Sequence, residues 1–75
     1  MAIAGVVVLA DNKVIDKVLL NLQQVDNVTT YGIHKSNYIV AVLESDTVEN
    51  LEEMANHINE KIDGVIGVYP NYINY

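Results

Sequence analysis

The sequence predicts an α+β domain with the element order β-α-β-β-α-β, and three observations lead to that prediction. Two segments carry apolar residues at helical spacing, and four segments rich in Val, Ile and Tyr lie around them. The chain has 75 residues, of which 51% are apolar. That is enough for one packed core and too little for two, so we expect a single domain over residues 1–75.

The first half predicts a strand, a helix and a second strand. Residues 3–10 are a nearly continuous apolar run, typical of a central strand that is covered on both faces. Asp11 or Asn12 is expected to cap the helix that follows. Residues 28–34 are β-branched and aromatic, which indicates the second strand. The apolar stripe of the helix comprises Val14, Ile15, Val18, Leu19 and Leu22.

The second half repeats this order after a short polar turn at residues 35–37, which predicts an antiparallel hairpin and a third strand over residues 38–44. Asp46 is expected to cap a second helix, with Glu49 in the capping-box position. The fourth strand runs from Val65 to about Tyr72 and should lie at an edge, because Pro70 has no N–H to donate. The apolar stripe of the second helix comprises Val48, Leu51, Met54, Ala55, Ile58 and Ile62.

Two β-α-β units joined by a hairpin predict the ferredoxin-like sandwich, a four-stranded antiparallel sheet in the order 4-1-3-2 with two helices on one face. The two helix-to-strand junctions support this internal repeat. Residues 25–28 read Val-Asp-Asn-Val, and residues 62–65 read Ile-Asp-Gly-Val.

The composition argues against several chemistries. The chain has no Cys and no Arg, and its four Lys face ten carboxylates for a net charge of −6. Thiolate metal sites and an arginine clamp for phosphate are therefore excluded, and nucleic acid is an unfavourable partner. His34 and His57 have no partner at ligand spacing. We expect no catalytic site, no cofactor and no metal.

The apolar N-terminal run has no Lys or Arg before it and is too short to span a bilayer. We interpret it as a strand, and we expect a cytoplasmic protein that does not contact membranes.

The first and third strands are apolar at almost every position, although two helices can cover only one face of the sheet. Alternation divides the first strand into a row with Gly5, Val7 and Leu9 and a row with Val6 and Val8. Whichever row faces the helices, the other leaves an exposed apolar surface, and such a surface marks an interaction site. A peptide partner and a homodimer through this face are both compatible with the pattern.

Several segments resemble the NapD family of cytoplasmic chaperones. They are residues 3–8 (Ile-Ala-Gly-Val-Val-Val), the junction before Val28, residues 39–42 leading to Ser45-Asp46-Thr47, and residues 63–68 (Asp-Gly-Val-Ile-Gly-Val) with Tyr72. The resemblance implies binding of the twin-arginine signal peptide of the catalytic subunit of periplasmic nitrate reductase, which delays export until the molybdenum cofactor is inserted. An acidic protein with an apolar sheet face suits a peptide of two arginines and an apolar stretch.

The resemblance also implies that positions 9 and 43 tolerate polar residues, which predicts that the rows containing Leu9 and Leu43 face away from the helices. The topology also brings Glu44 and Asp26 to one end of the sheet, where they are expected to receive the arginines. The expected sheet contacts are Gly5, Val7, Leu9, Tyr31, Ile33, Ile39, Ala41, Leu43, Ile66, Val68 and Tyr72.

Two other functions remain compatible with the sequence. One is a small-molecule regulatory module of the ACT type, which shares the fold, and the other is a structural dimerisation domain.

Overall fold

A computed structural model describes residues 2–74, and the side chains of residues 2–70. The elements are β1 (Ala2–Ala10), α1 (Ile15–Gln23), β2 (Val28–His34), β3 (Tyr38–Ser45), α2 (Val48–Lys61) and β4 (Val65–Asn74). The strands form one antiparallel sheet in the order β2-β3-β1-β4. The predicted ferredoxin-like architecture is confirmed, and β4, which contains Pro70, lies at an edge of the sheet.

Both helices pack on the same face of the sheet, which we call the helix face. Their buried side chains follow the predicted stripes, because only residues three and four apart point the same way from a helix. The helices contribute Ile15, Val18, Leu22, Leu51, Ala55 and Ile58 to the core. The two central strands contribute Ala2, Ala4, Val6, Val8, Ala10, Ile39, Ala41 and Leu43.

The start of α1 differs from the prediction. Asp11 Oδ1 accepts a hydrogen bond from the Lys13 N–H at 2.9 Å, and the Asp11 carbonyl accepts one from the Val14 N–H at 3.0 Å. These bonds close a turn before the helix, and Val14 occupies the N-cap position without a side-chain cap. The expected cap at Asp11 or Asn12 is therefore wrong, because Asp11 bonds to the preceding turn instead.

The cap of α2 also differs by one residue from the prediction. Thr47 has extended backbone and its Oγ1 accepts a hydrogen bond from the Asn50 N–H at 3.2 Å. Asp46 is not the cap, and the capping box with Glu49 does not form. The cap belongs to the residue whose backbone leaves the helix, and the sequence Asp-Thr offers two adjacent candidates for that position.

The two helix-to-strand junctions share a left-handed residue, with φ of 65° at Asn27 and 94° at Gly64. A Cβ at Gly64 would lie only 2.6 Å from Cγ2 of Val14. Glycine is therefore required at this turn for its φ and for the close approach of α1. The Gly64 carbonyl also accepts the Asp11 N–H at 3.2 Å, which ties the turn to the end of β1.

The β2–β3 hairpin has left-handed residues at Lys35 (φ 53°) and Ser36 (φ 61°). The Asn37 N–H donates to the His34 carbonyl at 3.3 Å, as in a type I′ turn. Neither Lys nor Ser is favoured in this conformation, so the tip of the hairpin carries backbone strain.

Candidate functional site

The sheet face opposite the helices is uncovered by any other element of residues 2–74, and we call it the open face. Along β1 the buried residues alternate with Ile3, Val7 and Leu9, which are half-buried, and Gly5, which is exposed. The alternation places these four residues on the open face.

The register between β1 and β3 decides which residues of β3 join them. Val7 pairs with Val40, and Gly5 pairs with Val42. Because directly opposed residues in an antiparallel pair point to the same side, Val40 and Val42 lie on the open face. Tyr38, which pairs with Leu9, lies there too.

The expected orientation of β3 is therefore wrong. Ile39, Ala41 and Leu43 are each 0% exposed, and they lie in the core beneath the helices. Leu43 pairs with Ala4 on the helix face, so it cannot share a surface with Leu9.

On β2, a register shift between Thr30 and Ile33 changes the alternation. Thr30 pairs with Ala41, and Ile33 pairs with Ile39, so both lie on the helix face although they are three residues apart. Ile33 packs against the core, and its expected place on the open face is wrong. Tyr31, inside the bulge, is 60% exposed.

On β4, Val68 pairs with Val8 and packs against the core, so its expected place on the open face is wrong as well. Ile66 is 69% exposed and adjoins the register shift near the end of β1. Tyr72 pairs with Ala4 through the backbone, and its side chain lies outside the described residues.

Sequence reasoning missed Tyr69, which is 61% exposed and pairs with Val7 on the open face. It also missed the open-face side chains of β3. No local pattern in the sequence identifies them, because the register that places them opposite Val7 depends on hydrogen bonds between strands distant in sequence. The described open-face residues of β1, β3 and β4 include Ile3, Gly5, Val7, Leu9, Tyr38, Val40, Val42, Glu44, Gly67 and Tyr69.

The open face continues into an acidic cavity at one end of the sheet. Glu44 is exposed and pairs with Ile3, so it extends the open-face row of β3. A cavity of about 300 Å³ beside it is lined by Asn27, Glu44, Ser45 and Asp46. The Glu44 N–H donates to the Asn27 carbonyl at 3.0 Å, which holds the α1–β2 turn against the end of β3. Asp26 is exposed on the same turn.

Charge is distributed unevenly along the strand direction. The half of the molecule with the acidic cavity contains no lysine and carries Asp26, Glu44, Asp46, Glu49, Glu52 and Glu53. The opposite half carries Lys13, Lys17, Lys35, Lys61, Asp11, Asp16, Glu60 and Asp63. Four lysines balance four carboxylates there, so the net charge of −6 lies in the acidic half.

The two histidines are exposed, and neither lines this cavity. His34 stacks on Tyr38 at the hairpin end, with ring centroids 5.5 Å apart. His57 borders a groove of about 450 Å³ with Val25 and Met54 on the helix side. Among residues 2–74, no three His, Asp or Glu side chains form a group that could hold a metal ion.

Neither helix in the described part of the chain is long and apolar enough to cross a membrane. A search of curated proteins and a search of solved structures each found no match. The family model described as NapD protein matches residues 1–75. The chain therefore belongs to the NapD family, from which a chaperone role in nitrate reductase maturation follows.

Proposed function

We propose that this protein binds the twin-arginine signal peptide of the catalytic subunit of periplasmic nitrate reductase. Binding takes place in the cytoplasm, because the peptide must be held before export. The observation that carries the proposal is the continuity of an exposed apolar face with an acidic cavity. A peptide of two arginines followed by an apolar stretch has the complementary arrangement.

The apolar stretch of the peptide fits the dimensions of the open face. From the Ile3–Glu44 pair to the Leu9–Tyr38 pair, β1 advances six residues. Six residues of strand span about 20 Å, which equals about 13 residues of α-helix or six of extended chain. The Val7–Val40 and Gly5–Val42 pairs lie on either side of the centre of this distance, where a bound chain would exclude water from these residues.

The arginines are proposed to dock at Glu44. Its carboxylate stands at the end of the apolar row and can pair with a guanidinium through two parallel hydrogen bonds. Asp46 lines the same cavity, and Asp26 adds negative charge on the adjoining turn. The uneven charge distribution would also orient an approaching cationic peptide toward this half of the molecule.

Isothermal titration with a synthetic peptide of two arginines and an apolar stretch tests this proposal. Glu44→Gln should weaken binding roughly fivefold at low salt and flatten its salt dependence, since a charge pair is removed without a change of shape. Asp63→Asn, which removes a carboxylate from the opposite half, is the matched control and should change neither quantity. A larger effect of Asp63→Asn would mean that the peptide binds in the inverted direction.

The same open face could instead be covered by a second copy of the chain. Sedimentation at several protein concentrations, with and without the peptide, separates the two occupants. A dimer that the peptide does not dissociate, together with no heat of binding, would contradict the proposed function.

A further inference from the structure

The open face has a hollow at Gly5. A Cβ built on Gly5 meets no atom of the described side chains within 4 Å, and the residue is exposed. The neighbours along the same row are Ile3 and Val7, and the partner on β3 is Val42. All three are half-buried apolar side chains, so the hollow is apolar on these three sides; on the β4 side Gly5 pairs with Asn71, whose side chain lies outside the described residues.

Neither backbone conformation nor packing requires glycine at this position. Gly5 lacks the positive φ that Gly32 and Gly64 have. None of the described side chains fills its hollow, whereas the ring of Tyr69 lies within 3.2 Å of a Cβ built on Gly67. Glycine in the interior of a central strand weakens the strand and often marks the close approach of a ligand.

Glu44 lies diagonally across from the hollow on the open face, on the neighbouring strand β3. Gly5 pairs with Val42, which precedes Glu44 by two residues, and such a step spans about 7 Å. In a bound peptide this distance joins residues two apart in extended chain or three to four apart in a helix.

We propose that the Gly5 hollow accepts one bulky apolar side chain of the bound peptide, two to four residues after the arginine held by Glu44. This inference rests on the proposed function and makes Gly5 a specificity-determining residue for it. The hollow selects among peptides that share two arginines, because a side chain that fills it buries more apolar surface away from water than alanine does.

The probes are synthetic peptides with two consecutive arginines followed by ten alanine and leucine residues. In one series a single phenylalanine replaces alanine at each of the first five positions after the arginines. The proteins are the wild type, Gly5→Ala, Gly5→Leu and the control Thr29→Leu. Thr29 is exposed and pairs with Val42 from the opposite side, so its substitution places the same leucine side chain on the open face outside the hollow.

In the wild type, phenylalanine at one of positions two to four should tighten binding roughly tenfold relative to alanine. Gly5→Leu should remove this preference, so that its affinities for the phenylalanine and alanine peptides agree within about twofold, and Gly5→Ala should reduce the preference partly. Thr29→Leu should keep it. All three variants should melt at or above the wild-type temperature, because the added side chains meet open space or solvent.

If the wild type binds the peptide equally well with phenylalanine at every position, this inference fails while the proposed function stands. The same holds if Gly5→Leu loses equal affinity for the phenylalanine and alanine peptides. If no peptide binds to the wild type, the proposed function fails and this inference fails with it.

Discussion

Val6 and Val7 are adjacent residues of the same type on opposite faces of the central strand, which makes them a matched pair for testing the two faces. Val6 is 2% exposed and lies beneath the helices, whereas Val7 is half-buried on the open face. Aspartate at each position places the same carboxylate in two different environments.

At Val6 the carboxylate has no partner, since the surrounding core is apolar. The carboxylate must be protonated to become neutral. For a group with an ordinary aspartate pKa near 3.9, protonation at pH 7 costs about 4 kcal/mol. The lost burial of valine and the unpaired polar group bring the total to about 7 kcal/mol. A domain of this length has a free energy of unfolding of roughly 4–11 kcal/mol, so Val6→Asp should be largely unfolded. At Val7 the carboxylate keeps its water, and the loss should be about 1 kcal/mol.

Urea unfolding followed by circular dichroism measures the stability difference, and titration with the twin-arginine peptide measures binding. Val7→Asp should remain folded and bind the peptide at least tenfold more weakly, because its charge must lose water beneath the peptide. If Val6→Asp cannot be purified, Val6→Thr and Val7→Thr give the milder comparison, with expected losses of about 1–2 kcal/mol and close to zero. Equal destabilisation at the two positions would refute the assignment of the faces.

Three further predictions concern the turns and the caps. Ser36→Gly should raise the free energy of unfolding by about 0.5–1 kcal/mol in urea, because glycine relieves the left-handed residue of the hairpin; an unchanged or lower value would contradict the strain there. Gly64→Ala should lower the melting temperature sharply, with a loss of about 3 kcal/mol or more, and the added change Val14→Ala should restore only the part due to the steric clash. Thr47→Ala should cost about 1 kcal/mol in thermal or urea unfolding, whereas Asp46→Ala should cost only a few tenths; the reverse order would restore Asp46 as the cap.

The element order could be predicted because apolar residues recur at helical spacing in each helix, and turn-forming residues lie at the ends of each strand. The buried stripe around Val18 and Leu22 in α1, and the corresponding stripe of α2, follow from the 3.6-residue repeat alone. The edge position of β4 follows from Pro70, whatever the neighbours are. Gly5, Val7 and Leu9 could be placed in one row of β1, and the acidic end with Glu44 could be placed from the direction of each element.

Which row of β3 meets the helices could not be predicted in the same way. Residues 39–43 are apolar at every position, so alternation divides them into two rows without distinguishing the rows. The pairing of Ala41 with Val6 distinguishes them, and that pairing depends on contacts between residues 35 positions apart in the sequence.

A bulge had a similar effect on β2. One extra residue between Thr30 and Ile33 shifts the alternation, so that Ile33 faces the core rather than joining Tyr31. Thr47 caps α2 because its backbone is extended at that position. The side chains of Asp46 and Thr47 can both cap a helix, so they do not show which residue has that backbone conformation.

The sequence by itself therefore determined the order of the elements, the stripes that the helices bury and the net negative charge of the chain. Only the tertiary structure decided which apolar rows remain uncovered, that Gly5 opens a hollow among them, and that the open face runs into the cavity at Glu44. The physical reason is that local periodicity depends on neighbours along the chain. The exposed face of a sheet is instead set by register, and register depends on hydrogen bonds between strands that are distant in sequence.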